Sequence, residues 1–389
     1  MGKQKIKKDI TFIYWDKAEK NLLMPIAEEA KRRGYATKLT NNKFEKCEIG
    51  IYCQHVNFPE FSKFSVIMLH DIIQRYSSWP DLWYWEPWNK YHIGILPSKQ
   101  WVSNWEQCSQ WYYSRPKIGM FEIGWPKADV ITLLQEESSK KLFFEKYHMN
   151  LSKPTVLYAP AWENDNKEDD FVKAMLKLDV NILIKQAHFP EEDYPDICRN
   201  IEEMRLLHQD IDNVTILPPE TNIFDAIAVS EILVSEESST MCEAAMMGIP
   251  AVSVSNWLVP DVTPSRYPKC DYDFVELTTK EKLTDCVKGI LDNYDYYHEK
   301  TKNFANRNFS NVGRTSSMIL DIIDDCVNGN KIRYSSLKPN DKKTLSPKKY
   351  LKHVLNIFKS YVVYNYRKRY FLVRFLINIY AWLLNKEIG

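Results

Sequence analysis

Short apolar runs, too brief to be helices, recur along the chain with amphipathic or polar segments between them. The first, "ITFIYW", leads into "NLLMPIAEEAKRRGY", where Leu22, Leu23, Ile26, Ala27 and Ala30 repeat at helical spacing until Gly34 stops the run. A strand that feeds a helix in this way is one β-α unit. Further strand-like runs follow at "IGIYCQ", "FSVIMLH", "YHIGILP" and "KIGMFEIG", and "SKQWVSNWEQC" reads as a helix between the last two. Strands alternating with helices predict an α/β domain on a mostly parallel sheet.

Near residue 150 the pattern restarts. "PTVLYAP", "VNILIKQAH", "NVTILPP", "EILVSE" and "IPAVSVS" are five more short runs, separated by segments such as the helical "NIFDAIAVSE". The expected organisation is a first domain over 1–150, a second over 151–330, and an extension over 331–389. The polar "SSKKLFFEKYHMNLSK" would join the two domains, and "NGNKIRYSSLKPNDKKTLSPKK" reads as a linker to the extension.

The extension differs in kind. From Ser346 to Gly389 there are nine Lys or Arg against the single Glu387, a net +8; the whole chain is +1, so the first 345 residues carry −7. The run from Tyr370 to Leu384 is broken by Arg374 and Asn378, too short and too polar to span a bilayer. Helices lying in the membrane interface, with cations on anionic lipid, fit this composition; a helical pair packed back on the body is the plainer alternative. So many apolar residues argue against a nucleic-acid tail.

Length and composition set further bounds. A chain of 389 residues suits two domains plus an extension, and 44% hydrophobic with 26% charged residues is a folded, globular balance. The eight cysteines are scattered singly with no C-x-x-C pair, which predicts reduced cytosolic thiols and no zinc site. The basic start "MGKQKIKKDITFIYWD" has too short an apolar run for a signal peptide, and no uncharged apolar stretch reaches transmembrane length. The expected location is cytoplasmic, peripheral on the inner face of the cell membrane.

Ligands of open α/β sheets bind beyond the carboxyl ends of the strands. Three groups stand there: His70 ending "FSVIMLH", His188 after "NILIKQA", and the stretch from Ser235 to Thr240 after "EILV". Ser238, Ser239 and Thr240 precede a helix whose free N–H groups would hold a phosphate or pyrophosphate. Thr240-x-x-Glu243 also fits a capping box, which alone would account for most of the polar residues. Glu236 and Glu237 would repel a bare anion, so one of them is expected to face a hydroxyl-bearing group. A histidine at a strand end serves as a base toward a hydroxyl or as a cation beside phosphate, though a lone histidine is commonly a satisfied structural residue. The dense set Trp79, Trp83, Tyr84, Trp85, Glu86 and Trp88 reads either as an acceptor-binding surface or membrane-near wall, or as interdomain packing.

With these residues in hand, the chain resembles the CDP-glycerol glycerophosphotransferase family, the teichoic-acid-type polymerases and primases. "IGWPKADVI" is similar to the family's G-[YW]-P-K-x-D segment, "TVLYAPAW" to its I-L-Y-A-P-T-W strand, "LIKQAHFP" to its K-x-H-P strand end, and "LVSEESSTMCEAAMMGIPAV" to its T-D-Y-S-S-x-x-x-E motif. "GRTSSMILDII" is similar to the helix closing the family's second domain. The resemblance implies an α/β fold of two Rossmann-like domains facing a cleft (GT-B type), here with a C-terminal basic helical extension. It implies that Ser235, Glu236, Ser238, Ser239, Thr240, Glu243, Pro160 and Lys185 bind the donor nucleotide and that His188 meets the transferred phosphate. His70 would take the proton of the acceptor hydroxyl. Three positions depart from the family pattern: Asp71 for the usual Gly, Glu163 for the usual Arg, and Glu236-Glu237 for Asp-Tyr. Asp71 is placed to orient His70.

The expected function is transfer of a phosphopolyol from a CDP-activated donor to a hydroxyl of a glycan or lipid-linked acceptor, on an anionic membrane surface met by 346–389. No metal or other cofactor is called for, because the helix end and His188 supply positive potential. A GT-B glycosyltransferase using a nucleotide sugar shares every generic motif; an epimerase, or a scaffold without catalysis, are further alternatives.

Overall fold

The computed structural model describes residues 8–53, 57–72, 82–83, 86–134, 137–257, 272–341 and 346–367. Packing divides the chain into two units, 1–71 with 78–127 and 314–389, and 72–77 with 128–313.

In the first unit, β1 (Asp9–Ile13), β2 (Ala36–Thr40), β3 (Cys47–Cys53), β4 (Ser62–Met68), β5 (Ile93–Leu96) and β6 (Gly119–Glu122) form one sheet in the order β2-β1-β3-β4-β5-β6. Every pairing is parallel. Five of these strands sit on the predicted apolar runs. The sixth, β2, has sequence ATKLT and is a partly exposed edge strand, so it carries no apolar run to read. The helix Lys17–Arg32 starts where the Asp16 carboxylate accepts the Glu19 N–H at 2.9 Å, and Gly34 follows it with φ +80°. Its predicted apolar face is buried throughout.

Trp83 and Trp88 lie in a core with Trp101, Trp105, Tyr91 and Tyr113, and the buried Glu86 accepts the Tyr91 hydroxyl at 2.7 Å. These members of the tryptophan-rich stretch are therefore packing residues and not an exposed acceptor surface; Trp79, Tyr84 and Trp85 lie outside the described residues.

The second unit repeats the scheme with β7 (Thr155–Tyr158), β8 (Asn181–Ile184), β9 (Val214–Ile216), β10 (Ile232–Ser235), β11 (Ala251–Val254) and β12 (Val275–Thr278). Their order is β12-β11-β10-β7-β8-β9, again all parallel. Counted from its own first strand this is the 3-2-1-4-5-6 Rossmann order, and the order reverses between β7 and β10. The edge strand β12, VELT, escaped the sequence reading for the same reason as β2. The segment expected to join two domains supplies the helix Glu137–Lys146 inside this unit.

Chain beyond 313 packs with the first unit. The helix Thr315–Asn328, expected to close the second domain, lies against Lys17–Arg32 through Arg33. That guanidinium donates to Asp321 at 2.8 Å, Asp324 at 3.2 Å, Glu29 at 2.8 Å, and both the carbonyl (2.9 Å) and hydroxyl (2.7 Å) oxygens of Ser317. Over 331–341, what read as a linker is a pinned strap. Arg333 is bidentate to Asp325, the Tyr334 hydroxyl donates to Asp321, the Leu337 N–H donates to the Met120 carbonyl at 2.7 Å, and Arg115 pairs with Asp341.

The Arg33 node generates a prediction. Arg33→Met leaves partly buried carboxylates short of a cation and is expected to destabilise the chain by about 2 kcal/mol or more, read as a lower urea midpoint at unchanged slope.

Candidate functional site

Chain-order reversal between β7 and β10 makes the loops leaving these strands diverge, which opens a crevice at their carboxyl ends. The loop after β7 is Ala159 to Glu163; the loop after β10 is Glu236 to Ser239. One side chain ties them together. The Glu236 carboxylate, fully buried, accepts the Ala161 N–H (3.1 Å), the Trp162 N–H (3.1 Å), the Lys167 ammonium (3.0 Å) and the Ser235 hydroxyl (3.0 Å). Lys167 is 2% exposed, so this is a buried ion pair whose remaining lone pairs are satisfied.

That geometry corrects part of the sequence expectation. Glu236 does not face a hydroxyl-bearing ligand; its oxygens are occupied by protein donors. Ser235 is buried and spends its hydroxyl on Glu236. Lys185 is buried too, donating to the carbonyls of Gln186 at 2.8 Å and Pro219 at 3.0 Å. These residues, with buried Pro160, shape the crevice floor.

The capping box is not formed as expected. The helix runs Thr240–Met246, so Thr240 is its first residue and Ser239 the cap, without a side-chain cap bond. Ser238 takes the capping part instead: its hydroxyl oxygen accepts the Thr240 N–H at 3.2 Å and the Thr240 hydroxyl at 2.8 Å. The Thr240 hydroxyl also lies 3.4 Å from the Ala159 carbonyl, a second tie between the two loops. Glu243 is buried, 2% exposed. Ser239 and Thr240 remain half-buried at the crevice, and His188 is exposed beyond β8.

In the first unit, His70 follows β4 and is partly exposed. Its backbone is held by two indoles, Trp125 to the His70 carbonyl at 3.2 Å and Trp101 to the Asp71 carbonyl at 2.9 Å. The His70 Nε2 lies 3.0 Å from the Asp71 carboxylate, so the residue that departs from the family pattern does orient the ring. Burial opposes a charge on His70, but the Asp71 carboxylate, with Glu19 and Asp16 beyond it, outweighs burial and holds the pKa above 6.5.

Behind the crevice floor lies a buried polar network that sequence reasoning missed. The Tyr158 hydroxyl and the Gln186 amide each donate to Glu163 at 2.8 Å. Gln186 also donates to Glu168 at 2.6 Å, and His208 bridges Glu168 (3.0 Å) and Asp169 (3.3 Å). Burial opposes charge on His208, yet its two carboxylate partners raise its pKa. The one available signal was "ENDNKEDD" directly after "APAW": so many acids beside a strand end require internal partners.

A family model described as CDP-Glycerol:Poly(glycerophosphate) glycerophosphotransferase matches residues 86–324. Among solved structures, the wall teichoic acid polymerase TagF is similar at 14% identity and TM-score 0.62, over 83% of this chain and 89% of that one. A putative UDP-N-acetylglucosamine 2-epimerase from Listeria monocytogenes is similar at 11% identity and TM-score 0.58, over 86% and 100%. S. aureus MnaA with UDP is similar at 13% identity and TM-score 0.58, over 85% and 100%. No curated protein matches. The two parallel six-stranded sheets and these neighbours make the fold GT-B type.

Buried Glu163 gives the second unit a pH dependence. Burial raises its pKa from 4.5 to about 7, against the bonds from Gln186 and Tyr158. The folded state therefore binds the proton more tightly than the unfolded one. The stability contribution is complete below pH 4.5 and is lost as pH rises through 7. Between pH 5 and 8 the loss is about 2–3 kcal/mol. Glu163→Gln should flatten this slope, checked by urea unfolding at both pH values.

Proposed function

The chain belongs to the CDP-Glycerol:Poly(glycerophosphate) glycerophosphotransferase family, and we propose the following roles for its residues in moving glycerol phosphate from CDP-glycerol to an acceptor hydroxyl. The acceptor oxygen attacks the phosphorus that bears glycerol, the bond from that phosphorus to the CMP oxygen breaks, and CMP departs with the electron pair. The acceptor proton passes to His70. Asp71, 3.0 Å from Nε2, orients the ring that receives it. In the second unit, His188 and the half-buried hydroxyls of Ser239 and Thr240 receive the donor phosphates. Glu236, Lys167 and Lys185 act as positioning residues that hold the loops carrying them.

The observation that most supports this reading is the His70–Asp71 pair: a strand-end histidine, oriented by a carboxylate, with its basicity raised. The acceptor is a glycan or lipid-linked hydroxyl in cell-wall polymer synthesis, and the enzyme works on the inner face of the cell membrane, its cationic C-terminal region toward anionic lipid.

Release of CMP from CDP-glycerol, followed with the purified protein and a hydroxyl acceptor, tests the reaction. Release of a nucleoside diphosphate from a nucleotide sugar would replace it with glycosyl transfer. His70→Ala should lower turnover roughly 10²–10⁴-fold with CMP affinity, measured by calorimetry, essentially unchanged; wild-type turnover would remove His70 as the base. In the pH profile of kcat/KM the rising limb should lie above pH 6.5, since deprotonated His70 is the active form. Asp71→Asn removes the charge that favours imidazolium and should move the limb to lower pH by about one unit or more.

A further inference from the structure

The helix Pro347–Arg367 docks on the first unit through His353 and Tyr350. His353 is 3% exposed; its Nε2 is 3.1 Å from the Tyr113 hydroxyl, and its ring is 4.3 Å from that of Trp111. The Trp111 ring also meets Tyr350 at 5.3 Å. On the helical repeat, Leu351, Val354, Leu355 and Phe358 share one stripe. They are 61%, 40%, 61% and 69% exposed. The His353 mount holds this stripe outward.

Charge decides what suits this face. Lys348, Lys352 and Lys359 are exposed along the helix, and from 346 to 367 the sequence holds no acidic residue. Pairing stripe to stripe with a second copy would bring these lysines against their counterparts. An anionic bilayer instead accepts apolar side chains below the headgroups and cations among them. From Leu351 to Phe358 the stripe rises only about 10 Å, which suits a helix lying in the interface.

We propose that the Leu351, Val354, Leu355 and Phe358 face, flanked by Lys348, Lys352 and Lys359, docks the first unit on an anionic lipid surface. The mount of Trp111, Tyr113 and His353 fixes which side of that unit meets the lipid. This deepens the membrane placement proposed above and rests on it, but it does not depend on which bond the enzyme breaks.

The test uses the full chain and co-sedimentation with vesicles of phosphatidylcholine, alone or mixed with phosphatidylglycerol. Wild type should bind the mixed vesicles more tightly. The triple variant Leu351→Asp, Leu355→Asp, Phe358→Asp should bind them at least about tenfold more weakly. The variant Lys348→Gln, Lys352→Gln, Lys359→Gln should lose the preference for anionic lipid and its sensitivity to salt. CMP affinity and the urea midpoint should stay at wild-type values in both, because all six side chains are solvent-facing. Wild-type vesicle binding by the aspartate variant would overturn the proposal, as would a wild type that binds neither vesicle. So would a dimer that the aspartate changes dissociate while vesicle binding persists. Vesicle binding through this face by a protein that releases no CMP would support the docking and overturn the transfer reaction.

Discussion

Neither Glu236 nor Lys167 has water to solvate its charge, so each depends on the other, and the loops after β7 and β10 depend on both. Removing one partner would strand an ion in the interior, a penalty larger than the net stabilisation of the intact pair. The carboxylate also consumes two successive backbone N–H groups of the first loop. The crevice that the Rossmann strand order opens is therefore laced at its base. What remains at its rim, Ser239 and Thr240, is carried on a segment tied to the loop after β7.

A second polar layer lies behind that lacing. Glu163, Gln186, Glu168 and His208 are all buried and linked by hydrogen bonds, so the segment after "APAW" and the end of β8 move as one body. Glu163 itself holds an inward-turned carboxyl. Its proton occupancy near neutral pH follows from the same burial that makes the network rigid. In the first unit the corresponding device is different: two indole N–H groups fix the backbone of His70 and Asp71, and the carboxylate then fixes the ring. The second unit relies on buried ions, the first on buried tryptophans, of which Trp101 also packs in its core.

Most strands were legible because parallel sheets covered by helices demand continuous apolar runs; ten of the twelve described strands fall on such runs. β2 and β12 were not legible, since these two edge strands, unlike the edge strands β6 and β9, carry Thr, Lys and Glu in place of an apolar run and look like loop. Local sequence likewise placed His70, His188 and the serine-threonine cluster at strand ends, where ligands of this fold bind. It gave no sign that Glu236 turns inward, because its partners Lys167 and Ala161 stand 69 and 75 residues away.

By itself, then, the sequence determined the α/β class, the polar residues that stand at strand ends, and the cationic, apolar character of the C-terminal helix, all of which depend on periodicity and composition over a few turns. Only the tertiary structure decided which polar groups are spent on the protein itself and which stay at its surface. Glu236, Ser235 and Lys185 went inward, the strap over 331–341 was pinned to the first unit, and His353 rather than Leu355 became the buried face of its helix. Those outcomes depend on charges and donors brought together from distant parts of the chain, where burial makes any unmatched partner too costly to keep.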